Sequence, residues 1–255
     1  MTIASAALEQ PKAAIDCFEL PCGYLDSQGN LHTSIEVCEM TGEEEEILAA
    51  KNMPVVKKMN KILTACTKAV GEFRDRQKIE QIIPDLTQGD RIFLLFAIRR
   101  VSLGDQMPFS AECPECKHKA HVSLDLSELE SKPMPDPKIR VYEVVLPRTK
   151  KVVIMKVLTG RGEEAVSKAA VAGKDVISQA ILSRVESLDG KPADLKALKA
   201  LPLMDRNALR DAWQDREGGV DTAVKIQCPE CERDFESEVD LGDRNFFMPS
   251  ALPKS

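Results

Sequence analysis

The sequence predicts an α+β fold made of two ββα-rich lobes that arose by internal duplication. Two observations carry this. The tetrapeptide Cys-Pro-Glu-Cys is written twice, at residues 113–116 and 228–231, each time between short strand-like runs. Other landmarks recur in order at one offset: Asp90-Arg91 with Asp205-Arg206, Gly104 with Gly219, Cys113 with Cys228 and Asp125-Leu126 with Asp240-Leu241, all 115 positions apart. Upstream, Thr41-Gly42 and Glu45-Glu46 match Thr159-Gly160 and Glu163-Glu164 at an offset of 118, so small insertions separate the copies. Met134-Pro135 is echoed by Met248-Pro249. Ordered self-similarity of this kind marks a repeated structural unit.

The expected boundaries are an N-terminal arm at 1–12, a first lobe at 13–131 and a proline-spaced linker at 132–138. A second lobe at 139–242 and a C-terminal tail at 243–255 complete the chain. In the first lobe, residues 15–24 and 31–38 read as strands joined by a glycine-containing turn at 26–30. Thr41 with the carboxylates of residues 43–46 reads as a helix start, where the macrodipole favours negative charge. Pro54 opens a second helix whose apolar positions Val55, Met59, Ile62, Cys66 and Val70 recur at helical spacing. Its opposite face carries Lys57, Lys61 and Lys68, a solvated stripe. A third helix runs from about residue 90 to 101 and stops near Gly104. Pro133, Pro135 and Pro137 predict an extended connection. The second lobe repeats the plan, with strands at 141–146 and 152–158, a helix through Ile177, Ile181 and Leu182 ending at Asp189-Gly190, and another over about 205–216.

Each Cys-x-x-Cys knuckle aims two sulfurs at one point, and two knuckles supply the four thiolates of a closed tetrahedral zinc site: Cys113, Cys116, Cys228 and Cys231. The gap of 111 residues between them (117–227) is long for a zinc ribbon. Doubling a flexible loop costs only about 0.6 kcal/mol, whereas a structural zinc contributes roughly 10–16 kcal/mol, so the metal term wins. The competing readings are a redox dithiol or a disulfide. A redox motif opens a helix after a strand, and here polar strand-like runs follow each knuckle. His118 and His121 flank the first knuckle and are not needed as ligands. Cys17, Cys22 and Cys38 lie near His32 in sequence, but their spacing fits buried strand cysteines better than a second metal site.

With 255 residues, 43% hydrophobic and 30% charged, the chain can bury a sizeable core. The net charge of −6 argues against a broad nucleic-acid surface. No apolar run reaches the length of a membrane span, and residues 1–12 lack the pattern of a secretory signal. The eight cysteines are therefore expected to stay reduced, which favours metal over disulfides. No metalloprotease helix motif, nucleophile elbow or phosphate loop appears, so the chain does not read as an enzyme. Gly160-Arg161-Gly162 is best read as a helix entry, because its counterpart Gly42-Glu43-Glu44 would repel phosphate.

One helix does not fit a plain globular reading. Phe93, Leu94, Ala97 and Ile98 align with Ala208, Leu209, Ala212 and Trp213 as the shared core face. On the other face Ile92, Leu95 and Phe96 stand where the second copy has Asn207, Arg210 and Asp211. A helix apolar all round is buried on both sides. Ile92, Leu95 and Phe96 are thus candidate contacts with the other lobe or with a partner protein.

The runs EVCEMTGEEEEIL and LTQGDRIFLLFAIRRVSLGD, with a phenylalanine shortly before CPEC and a following DL, resemble the T-even-type phage baseplate family. Its members are described as hub proteins or hub-assembly chaperones of contractile tails. The resemblance covers most of residues 15–126 and continues more weakly to Leu241. It implies a non-enzymatic hub component or assembly chaperone of a phage tail or related contractile injection particle. Its partners would be baseplate or hub proteins, and its place the host cytoplasm during assembly or the virion baseplate. The alternative is a zinc-ribbon protein acting on nucleic acid, against which the acidic charge and scarce aromatics weigh.

Overall fold

A computed structural model describes residues 15–242 and 244–248; the expected arm and most of the expected tail lie outside them. Strand β1 (Ile15–Leu25) pairs antiparallel with β2 (Leu31–Cys38). The turn is fixed by Asp26, whose carboxylate accepts from the amides of Gln28 and Asn30. Helix α1 (Gly42–Ala49) starts at a capping box in which Thr41 and Glu44 satisfy each other's amide ends. Helix α2 (Val55–Cys66) follows Pro54.

The apolar spacing that reaches Val70 predicts one continuous helix there, but the helix ends at Cys66. Residues Thr67–Val70 form β3 instead, completing a sheet of order β1-β2-β3. Val70 fits a helical stripe and a strand face equally well, and pairing with Ile35 decides between them. After the short helix α3 (Arg76–Ile82), α4 (Gln88–Leu103) is capped by Thr87 and stopped by Gly104, whose φ of 81° lies in the left-handed region.

Strands β4 (Gln106–Glu112) and β5 (Lys119–Asp125) form a hairpin with the first knuckle at its tip. Beyond it lie β6 (Ser131–Lys132) and the proline-spaced stretch, where buried Met134 donates its amide to the Pro21 carbonyl. The second sheet, of order β10-β9-β8-β7, is built from β7 (Val141–Val145), β8 (Val152–Lys156), β9 (Val185–Leu188) and β10 (Lys191–Pro192). Helices α5 (Gly160–Val171) and α6 (Val176–Leu182) connect β8 to β9. The helix expected to run to Asp189-Gly190 therefore stops at Leu182. Asp189 and Gly190, both at positive φ, form the two-residue turn between β9 and β10, as an Asp-Gly pair favours. Helices α7 (Leu195–Lys199) and α8 (Leu203–Arg216) follow, then β11 (Gly219–Val220), which pairs with β6. The second knuckle caps the hairpin of β12 (Ala223–Gln227) and β13 (Asp234–Glu238), and α9 (Arg244–Phe247) follows.

The larger core joins residues between Leu20 and Leu126 with Val224, Ile226, Val239, Phe246 and Phe247. A smaller core lies between Tyr142 and Leu209. The two halves meet tightly. Gly89, at the start of α4, lies so close to the Gly218 carbonyl that an added Cβ would stand 2.0 Å from it. Only glycine allows that crossing. An ion pair and a hydrogen bond cross as well: Arg91 donates to Glu163, and the Asn60 amide to Glu164.

Candidate metal centre

The two knuckles are built alike. In the first, the Cys113 amide donates to the His118 carbonyl and the Lys117 amide to the Cys113 carbonyl. In the second, the Cys228 amide donates to the Arg233 carbonyl and the Glu232 amide to the Cys228 carbonyl. Lys117 (φ 61°) and Glu232 (φ 59°) adopt the same left-handed conformation just after each Cys-Pro-Glu-Cys. These turns hold each pair of thiols on one side of its hairpin.

The hairpins are carried by rigid supports. Arg99, fully buried on α4, donates to the carbonyls of Gly104 and Gln106 and so fixes the entry to β4. The β6–β11 pairing and the bond from the Asp221 amide to the Glu130 carbonyl bring the second hairpin beside the first. Arg233 reaches across to Glu115 at 2.8 Å, joining the two knuckles at their rim.

As a result all four sulfurs lie within 4.8 Å of one another. The Cys113–Cys231 separation is 3.7 Å and that of Cys116–Cys228 is 3.6 Å. A disulfide needs about 2.05 Å, so none is formed. A tetrahedron with zinc–sulfur bonds of about 2.3 Å has edges of about 3.8 Å, which these distances match. Cys113 and Cys228 are fully buried, Cys231 is half-buried and Cys116 faces solvent. The amide of Cys231, then that of Glu230, hold the Cys228 thiol below its usual range, while Cys116 and Cys231, crowded against the other sulfurs, are shifted up. The four-thiolate donor set, closed and without an open position, suits a structural zinc rather than a catalytic one.

The histidines beside the first knuckle stay out of the cluster. His121 pairs with Ser110, and His118 contributes its backbone carbonyl. Cys17, Cys22 and Cys38 do not converge with His32, which instead pairs with Asp26 and packs against Phe73. Cys22 and Cys38 are buried as expected, but Cys17 is not: it lies on the outward side of β1 beside Ser34. Burial pushes the Cys22 and Cys66 thiols up to about 12. The glycines at 160–162 do not form a phosphate loop. Gly160 leaves room for the Arg91 guanidinium, and Arg161 pairs with Asp85.

On α4, Leu95 and Phe96 are buried within the chain itself. Phe246 of α9 meets the Phe96 ring edge-on at 5.2 Å. Ile92 and Leu95 line a groove of about 440 Å³ walled by Val55, Met59, Val166 and Leu241.

The 115-residue offset singles out Asp90 and Asp205, but their role appears only in three dimensions. Each is fully buried at the start of its helix and accepts from two consecutive amides of the preceding hairpin. Asp90 bonds Cys22 and Gly23; Asp205 bonds Arg148 and Thr149. Thr87, three residues before Asp90 at capping-box spacing, accepts from the Asp90 amide and donates to its carboxylate, whereas Pro202 stands at that place before Asp205.

An α+β chain thus brings two distant hairpins together at four cysteines that could hold a metal ion. The family model described as T4 bacteriophage base plate protein matches residues 25–248, and the chain belongs to that family. It is thus a phage baseplate protein of the T4 type. Nothing among the curated proteins or the solved structures matches it. Among the described residues no helix is long and apolar enough to cross a membrane.

Proposed function

We infer that the chain is a non-enzymatic hub component or hub-assembly chaperone of a contractile tail, stabilised by one zinc ion at Cys113, Cys116, Cys228 and Cys231. The observation that carries this reading is the convergence of the four thiols in a member of a baseplate family. A metal that joins two hairpins from distant parts of the chain makes a rigid docking unit, which is what an assembly protein needs. The related injection-particle setting and action in the host cytoplasm during assembly belong to the same proposal.

Its partners are baseplate or hub proteins rather than nucleic acid, since the net charge is −6. The groove at Ile92 and Leu95 supports a protein contact on that side of α4, with Phe96 anchoring α9 beside it. The two-lobe reading is supported by the matched knuckle turns and by the matched Asp90 and Asp205 clamps.

Mass spectrometry of purified tails and of assembly intermediates tests the role. A hub component is retained in finished tails, whereas a chaperone occurs in intermediates alone. Absence from both would overturn the proposal. DNA binding that weakens steeply with added salt would instead favour the nucleic-acid reading.

A further inference from the structure

Strand β7 is one edge of the second sheet, the two-residue β10 being the other. Its backbone pairs with β8 on one side and makes no other hydrogen bond among the described residues. Part of β1, the edge of the first sheet, is covered. There the Pro21 carbonyl accepts from Met134, and the carbonyls of Cys22 and Gly23 accept from Arg140. Exposed edges are normally blunted by lysine, proline or a bulge. Strand β7 reads Val-Tyr-Glu-Val-Val and pairs with β8 without a register shift.

Val141 is 47% exposed and Val145 57% exposed, on the same sheet face as the half-buried Val152 and Ile154. Beside the edge runs a groove of about 510 Å³ walled by Pro135, Val144, Ala212, Glu143, Asp215 and Arg216. The Arg216 guanidinium lies over the Tyr142 ring at 4.8 Å. The carboxylates of Glu143 and Asp215 make no hydrogen bond or ion pair among the described residues. The groove therefore combines an unpaired strand edge, aliphatic flanks and two carboxylates against one guanidinium, a net negative lining.

We propose that β7 is a docking site for an extended segment of a partner protein, added as a strand, with aliphatic residues flanking a basic residue set opposite Glu143. Main-chain hydrogen bonds along the edge supply affinity, and alternate side chains supply specificity. A second copy of this chain fits less well. The symmetric antiparallel register that sets Val141 against Val145 also sets Glu143 against itself, and like charges directly opposite destabilise a strand pair. The partner's being a baseplate protein rests on the function proposed above. A failed tail inventory would remove that reading without altering the outcome below.

The test titrates the isotope-labelled, metal-loaded full chain with the capped heptapeptide Thr-Val-Thr-Arg-Thr-Val-Thr, following amide resonances. The expected result is perturbation of residues 141–145 and 212–216. The same peptide with glutamate at its centre should bind several-fold more weakly. Glu143→Lys should reverse that preference, and Val145→Lys should remove binding of both peptides. Absence of perturbation, equal binding of the two peptides, or perturbation elsewhere overturns the proposal. So does a homodimer in sedimentation that Val145→Lys dissolves.

Discussion

Helices α4 and α8 begin with the same device, a buried aspartate that grips two amides of the hairpin before it, yet their outer faces differ. On α4 that face carries Ile92, Leu95 and Phe96 and lies beneath Phe246 of α9 and beside Leu241. On α8 it carries Asn207, Arg210 and Asp211 and meets solvent, with Arg210 bonded to Asn207. The helix plan is thus shared, while apolarity follows what covers each helix. The aspartates differ as well. Burial raises Asp90 above the usual carboxylate range despite its bonds. At Asp205 burial also acts upward, but the amides of Arg148 and Thr149 outweigh it and the group is lowered.

The largest effect should come from breaking what joins the two hairpins. Cys231→Ser removes one ligand of the proposed zinc site; a structural zinc contributes roughly 10–16 kcal/mol, so the thermal midpoint should fall by about 10 °C or more. Hydrogen exchange should then report lost protection at residues 122–126 as well as beyond 220. Loss confined to residues beyond 220 would mean that the knuckles act separately.

The double change Leu95→Arg, Phe96→Asp gives α4 the outer face of α8. Because Leu95 is 5% exposed and Phe96 4%, the cost should be several kcal/mol, read as a drop in midpoint or in urea resistance. An unchanged midpoint would show that α9 does not hold this face.

The aspartate pair offers a smaller and sharper contrast. The lowered pKa of Asp205 contributes stability above the unfolded carboxylate value near 4, and that contribution is lost as pH falls through its folded value. Asp205→Asn should therefore cost about 1–3 kcal/mol at pH 7 and less at pH 3. The raised pKa of Asp90 works in the opposite sense. Its contribution is full below the unfolded value and is lost as pH rises through the folded one, so Asp90→Asn should cost most in acid. Urea denaturation across pH 3 to 8 should give opposite slopes for the two variants, and parallel slopes would refute the contrast. Smallest of all, Val145→Lys on the open edge should change stability by no more than about 0.5 kcal/mol.

Much of this was legible in the sequence because its signals were local. The four cysteines, the Thr41 and Pro54 helix starts, the Gly104 stop and the first hairpin were each announced by residues a few positions apart. Strands β3 and β9 were not, because Val70 and the stretch after Leu182 follow apolar spacings that fit both helix and strand, and pairing across the sheet settles them. The α9 cover on α4 was equally hidden. Phe246 and Phe247 lie in a stretch that reads as a tail, and only the fold brings them onto Phe96. The Asp90 and Asp205 clamps were visible as repeat landmarks, but their partners lie 68 and 57 positions away.

The most direct test of the account is elemental analysis of the full chain purified without added metal, combined with thiol titration of the native protein. One zinc per chain is predicted, with Cys113, Cys116, Cys228 and Cys231 unreactive until the metal is chelated. A zinc content near zero, with those four thiols freely reactive in the folded chain, would contradict it.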